Sequence, residues 1–448
     1  MTTRLPTRRF TRRGFFKLAG GALAAAAGAY ALPKVFGRWL GPSGLASAQA
    51  APPDLVFAGT DGWISLPATP AMPPYHPDPL APAPFTTYIF GFHNVTGLTE
   101  AQRLNQKMKA QHPAPLFWVN QDAEFRLELH NLGLQMRPDL TDAHTVHWHG
   151  FRNVIPFFDG EPTGSLAVPM GQNFTYVYRP REPGTYMFHC HVEDIEHVHM
   201  GMTGMTFVRP AQDGNTALYP SGRYAYNDGD GSTGFDREFS MLLTEVWNEA
   251  HWDDAHIQLP EWTDYRADFC LLNGRVYPDT IAPNSPLGAP PVGTVSYLPF
   301  ATDPVSGDLL TTPGYEYLQY QPISSLVNCN AGERVLLRFA NLGFKEQALT
   351  LAGIKMQVVG RDATLLRGRD GTPTAFATDT ISLHAGESYD VIVTAPPYVG
   401  PGPYDTYLLY NRKYSAVSNL VAGGHGGQMT EVRVYPPGTL APQTLPNT

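Results

Sequence analysis

Glycine and proline punctuate this chain so often, 43 and 42 times in 448 residues, that long helices have little room. A glycine inside a helix costs about 1 kcal/mol and a proline about 3 kcal/mol, so the pattern favours short strands joined by turns. Strand-like runs are present. Phe125-Arg126-Leu127-Glu128-Leu129-His130 alternates apolar and polar side chains, and Phe174–Tyr178 and Met205–Val208 are rich in aromatic and β-branched residues. The second half repeats the habit at Arg334–Phe339, Met356–Val359, Tyr389–Val393 and Glu431–Val434. Residues 51 to about 115 are Pro-rich and are expected to drape irregularly over a domain. Residues 227–235, rich in Gly and Asp, read as a linker. The predicted fold class is all-β, with one β-sandwich over 51–226 and a second over 236–448.

The formal charge of −9 hides an asymmetry. Eight of the 31 basic residues lie in 1–50 with no acid, so the remainder carries 23 bases against 40 acids, a formal −17. Thr11-Arg12-Arg13-Gly14-Phe15-Phe16-Lys17 resembles a twin-arginine export signal. An apolar stretch from Leu18 to Leu32 and small-residue cleavage patterns near Ala48-Gln49-Ala50 follow it. The expectation is a signal peptide over 1–50 and a mature protein that is periplasmic or secreted. The apolar stretch falls short of the ~20 residues that cross a bilayer, so no membrane span is expected after removal of the signal. The acidic balance gives no reason to expect nucleic-acid binding.

Two clusters carry the chemistry: His144-Thr145-Val146-His147-Trp148-His149-Gly150, and His189-Cys190-His191 followed by His197 and Met202. On extended backbone, successive side chains face opposite ways. His147 and His149 then share one face, as do His189 and His191, while Cys190 and His144 point to the other. His197 and Met202 follow on a loop that can fold back to Cys190. Two imidazoles, a thiolate and a thioether are the ligand set of a type 1 blue-copper site. The four remaining imidazoles suit further copper, and the two flanking Cys190 would link the sites through the peptide.

These clusters resemble the multicopper oxidases, whose patterns are His-x-x-His-x-His-Gly and His-Cys-His followed by His-x(4)-Met. Pro183–Phe188 and Leu272–Pro278 are also family-like. The resemblance implies cupredoxin-like Greek-key domains and assigns His144, Cys190, His197 and Met202 to type 1 copper. It assigns His147, His149, His189 and His191 to a type 2/type 3 cluster that reduces dioxygen to water. Cys190, His189 and His191 would carry the electron between the two. The implied partners are dioxygen and a phenolic or metal-ion electron donor, as in a laccase-like enzyme.

The chain departs from the family pattern in its count of histidines. The family's trinuclear cluster takes eight, and only four stand in motifs here. His251, His256, His384 and His425 form no His-x-His pair. A two-fold-related copy could supply an identical set, which points to a homo-oligomer. Alternatively His425 could reach a neighbour's site, as in copper nitrite reductases, although His147 and His191 would then have no task. A mononuclear electron carrier is the non-enzymatic alternative. Val192–Glu196 reads as a solvated acidic loop, with cation steering as the other reading. His199 and Met200 are expected at the rim. Cys270 and Cys329 are left either to pair or to stay as buried thiols.

Overall fold

The computed structural model describes residues 51–291, 295–420 and 425–448; the expected signal, 1–50, lies outside them. Strands β1 (Leu55–Ile64), β2 (Thr87–Asn94), β3 (Phe117–Asn120), β4 (Phe125–Gly133), β5 (His147–His149), β6 (Asn173–Tyr178), β7 (Gly184–His189) and β8 (Thr203–Arg209) build a first sandwich. Its sheets run β2-β1-β4-β6 and β3-β8-β7-β5. Parallel neighbours β1–β4 and β3–β8 among antiparallel pairs give the crossing connectivity of a Greek key. In β4 the sequence alternation appears directly as alternating burial, with Phe125, Leu127 and Leu129 in the core.

Strands β9 (Arg237–Val246) and β10 (Phe269–Leu272) open the second half. β11 (Val295–Tyr297) then crosses back and pairs antiparallel with β3, Ser296 opposite Trp118. The second sandwich is completed by β12 (Val327–Asn330), β13 (Arg334–Asn341), β14 (Gln347–Leu351), β15 (Met356–Arg361), β16 (Thr364–Leu365), β17 (Phe376–Thr378), β18 (Thr380–Leu383), β19 (Ser388–Thr394), β20 (Asp405–Asn411) and β21 (Met429–Tyr435). Helices among the described residues are short: α1 (Glu100–Leu104), α2 (Asp194–Met200) and α3 (Asn248–Ala255), with a few 3-10 turns. None of them is long and apolar enough to cross a membrane.

One expectation is corrected, and two other readings gain detail. The Pro-rich leader is not irregular throughout, because β1 is buried along its whole length and sits inside its sheet. Its two glycines explain why it reads poorly as a strand. A Cβ on Gly62 would lie 2.8 Å from the Ala110 backbone nitrogen, and one on Gly59 would lie 3.0 Å from His144 Cδ2. The 227–235 segment is tied down: buried Asp228 accepts hydrogen bonds from the Gly231 and Thr233 N–H groups, and Arg367 pairs with Asp230. Cys270 and Cys329 are buried and free.

Candidate metal centres

Cys190 follows directly on β7 and is fully buried. Its Sγ lies 3.3 Å from His197 Nδ1 and accepts the Thr145 N–H at 3.4 Å. His197 is delivered by α2, whose acidic first turn and histidine-bearing last turn suit the helix dipole. His144 meets His197 ring to ring at 5.1 Å. The ligand atoms of His144, Cys190 and His197 all lie within 4.8 Å of one another. Met202 pairs backbone to backbone with Cys190 and is fully buried. Its Cε and His144 Cδ2 flank the bare Cα of Gly59, where a Cβ would come within 3.5 and 3.0 Å of them.

This donor set fits a soft, thiolate-preferring cation. Both ring nitrogens of buried His144 lack a hydrogen-bond partner, a costly arrangement unless a metal takes one of them. Burial, the largest single influence, would push the Cys190 thiol up, yet His197 and His144 together outweigh it and hold the thiol well below its ordinary range. Burial acts on His197 in the opposite sense, but the Cys190 thiolate and the Asp142 carboxylate raise it to about 10. Asp142 Oδ2 sits 3.2 Å from His197 Nε2, so a carboxylate two residues before His144 is part of this centre. Only its closeness to His144 in the sequence signals it.

The four other imidazoles meet on the far face of the same strand pair. His147 opposes His189 directly in the β5–β7 register. Ring centroids are 5.1 Å apart for His147–His189, 4.9 Å for His147–His191 and 5.5 Å for His149–His189. The ligand atoms of His147, His149 and His189 fall within 4.8 Å of one another, with the His191 ring stacked beside them. The His191 N–H donates to Thr145 Oγ1, which ties the two motifs together.

Outer hydrogen bonds set which nitrogens face inward. His147 Nδ1 lies 3.0 Å from the Asp159 carbonyl and His189 Nδ1 lies 2.8 Å from the Cys190 carbonyl. A carbonyl only accepts, so each Nδ1 carries the proton and each Nε2 offers a lone pair inward. Burial drives His189 down to about 3 and lowers His149, which keeps both rings neutral and able to ligate. The group therefore fits a metal cluster on donor chemistry.

The second half adds no imidazole to this group among the described residues. His251 is buried against the Tyr88 carbonyl, His256 pairs with Asp78, and His384 and His425 are exposed. The expected rim residues are corrected: His199 and Met200 are buried. His199 Nε2 accepts the Trp247 N–H at 3.1 Å, and its ring packs on His251, Trp262, Tyr265 and Phe344. The acidic loop is only partly solvated. Glu193 and Asp194 are exposed, whereas Glu196 turns in towards Arg137, which also holds Asp139 and buried Asp254.

Family models described as multicopper oxidase match residues 94–213 and 294–424, together more than half of the chain. The chain belongs to the multicopper oxidase family. Membership implies copper, as type 1 copper and a trinuclear cluster. Among curated relatives of this family member, laccase-5 of Arabidopsis thaliana is 24% identical over 62% of this chain and 38% of its own length. An L-ascorbate oxidase of Brassica rapa subsp. pekinensis is 26% identical over 61% of this chain and 41% of its own. The chain thus spans about 40% of the length of these relatives. Similar solved structures include a blue copper oxidase from Nitrosomonas europaea, with 18% identity, 85% of each chain covered and a TM-score of 0.51. The multicopper oxidase mgLAC is similar at 19% identity, 86% of each chain and a TM-score of 0.53. These likenesses place the sandwiches in the cupredoxin-like fold class.

Proposed function

We propose that this chain is an exported copper oxidase. It takes single electrons from a donor at the Cys190 centre and passes them to dioxygen, reduced to water at the four-imidazole centre of an oligomer. The observation that carries this is the run His189-Cys190-His191, whose thiol faces one centre while both neighbouring imidazoles face the other. Copper, when bound, supplies one-electron redox chemistry at both centres. The chain's own part is to keep Cys190 ionised, to offer neutral imidazoles, and to join the centres by one covalent residue step on either side. His189 Nδ1–H on the Cys190 carbonyl adds a hydrogen-bonded link at 2.8 Å.

Two features refine the reading. Asp142, Glu193 and His197 bring ligand atoms within 4.8 Å of one another at the edge of the Cys190 centre. A carboxylate pair there concentrates cations, which favours a cationic or metal-ion donor over a neutral phenol. Second, four imidazoles are half the set the family pattern asks for. The loop that accepts from His147 and Trp148, through the Asp159 and Phe158 carbonyls, exposes Ile155, Phe157 and Leu166. An apolar rim beside an incomplete cluster suits a second copy of the chain, whose equal set completes it.

Copper content measured together with oligomer size and oxygen uptake tests the proposal. A two-fold dimer should hold about five coppers per two chains and consume oxygen with donor. One copper per chain without oxygen uptake means an electron carrier. A monomer that reduces oxygen to water rules out the shared cluster. Export rests on the Arg12-Arg13 segment, and Arg12→Lys with Arg13→Lys should leave the protein inside the cell.

A further inference from the structure

Helix α2 carries His197 and leads straight into Met202, yet little in its own sequence holds it in place. It has seven residues, and an isolated helix shorter than about 12–15 is marginal in water. The chain enters it through Glu193 at a φ of +46°, with no side-chain hydrogen bond to cap it, and leaves it through Gly201 at +123°. A non-glycine residue in the left-handed region is disfavoured, so the entry to α2 has to be held from outside.

The second sandwich supplies that hold at three points. His199 Nε2 accepts the Trp247 N–H at 3.1 Å. His112 Nδ1 lies 3.4 Å from the Gly201 carbonyl, and its Nε2 lies 2.8 Å from Thr244 Oγ1. Because a carbonyl only accepts, His112 donates from Nδ1 and takes the Thr244 hydroxyl at Nε2. Arg137 pairs with Asp254 and reaches Glu196 Oε1 at 3.8 Å. His112, Arg137, His199, Thr244 and Asp254 are all buried, where water does not weaken such contacts.

Thr244, Trp247 and Asp254 belong to one stretch, from the end of β9 into α3. The points they reach on α2 are Glu196 and His199, either side of His197, and Gly201, next to Met202. Within α2 the His197 N–H donates to the Glu193 carbonyl at 3.0 Å, and the Met202 N–H donates to the His197 carbonyl at 2.9 Å. A shift of α2 therefore moves His197 and Met202 together, while Cys190 stays with β7.

We infer that residues 244–254 of the second sandwich set the position of His197 and Met202 against His144 and Cys190. His112, His199 and Arg137 are the positioning residues that transmit it. A sandwich that adds no ligand to the Cys190 centre among its described residues thus places half of that centre's donors. The inference rests on the reading that these four donors hold copper.

Thr244→Val removes the hydroxyl that anchors His112 and keeps the side-chain shape, and Thr244→Ser restores it. In metal-free protein, hydrogen exchange at the His197 and Met202 amides should be about tenfold faster in Thr244→Val. The β13 amides should not change, and Thr244→Ser should match wild type. In copper-loaded protein, Thr244→Val should shift the Cys190 absorption and the reduction potential of that centre, with copper at the four imidazoles kept. Thr350→Val, which breaks a 2.6 Å hydroxyl pair between β14 and β18, should move neither reading. Wild-type exchange and spectrum in Thr244→Val overturn the inference, as do equal changes in Thr350→Val. His199→Gln keeps an acceptor for the Trp247 N–H and His199→Phe removes it, so the spectrum should shift with Phe and hold with Gln; equal spectra overturn the part given to His199. Wild-type protein without a thiolate-to-copper absorption contradicts the copper reading instead, and amide exchange alone then decides the inference.

Discussion

His197 stands between Cys190 and Asp142, with Nδ1 3.3 Å from the sulfur and Nε2 3.2 Å from the carboxylate. One imidazole thus spans the distance from the buried thiolate to the acidic edge where Glu193 is exposed. Asp142→Asn with Glu193→Gln should leave the Cys190 absorption in place. The kcat/KM for a cationic donor should drop about tenfold, mostly in KM, while a neutral phenol changes little. Equal losses for both donors would remove the acidic edge from the account.

Gly59→Ala probes the other side of the same centre. A methyl group there would press on His144 Cδ2 at 3.0 Å and on Met202 Cε at 3.5 Å. Overpacking in a fully buried strand should cost about 1–3 kcal/mol and shift the Cys190 absorption, with copper at the four imidazoles unchanged. An unaltered spectrum would mean that His144 or Met202 does not ligate.

Acid stability should depend on Glu238. This buried carboxylate is opposed by its own desolvation, yet Arg209, Arg338 and Arg223 hold it down at about 2. A depressed carboxylate contributes stability above its unfolded value and loses it as pH falls towards the folded one, here from about 4.5 to about 2. Glu238→Gln should destabilise the protein by about 3–5 kcal/mol at neutral pH. It should also flatten the stability profile over that acid window. Urea unfolding at several pH values measures both effects.

Copper removal should be felt as lost stability. Inward lone pairs of His147, His149 and His189 crowd together without a cation, and a ligand that binds only the folded state raises stability by mass action. Chelation should lower Tm, and copper should restore it. A Tm that ignores copper would contradict the convergence of these nitrogens.

Much of the site could be read from strand parity. His147 and His149 on β5 and His189 at the end of β7 share a face, and Cys190 turns away to His144 and His197, because two-residue periodicity is local. What could not be read depends on distant chain. β1 was hidden by Gly59 and Gly62, which are small because His144 and Ala110 lie against them. His199 is buried because Trp247, Trp262, Tyr265 and Phe344 wrap it, 48 to 145 positions away in sequence. Glu196 looked solvated because its partner, Arg137, lies before β5, β6 and β7 in the chain. The Gly386 carbonyl, 3.0 Å from His149 Nε2, left no trace in the sequence, since any residue has one.

Cys190→Ser tests the central claim most directly, by absorption, copper content and oxygen uptake on one sample. The account predicts loss of the thiolate-to-copper absorption, copper retained at the four imidazoles, and oxygen uptake stopped for want of electrons. Absorption that survives the substitution, or oxygen consumed at the wild-type rate, would contradict it.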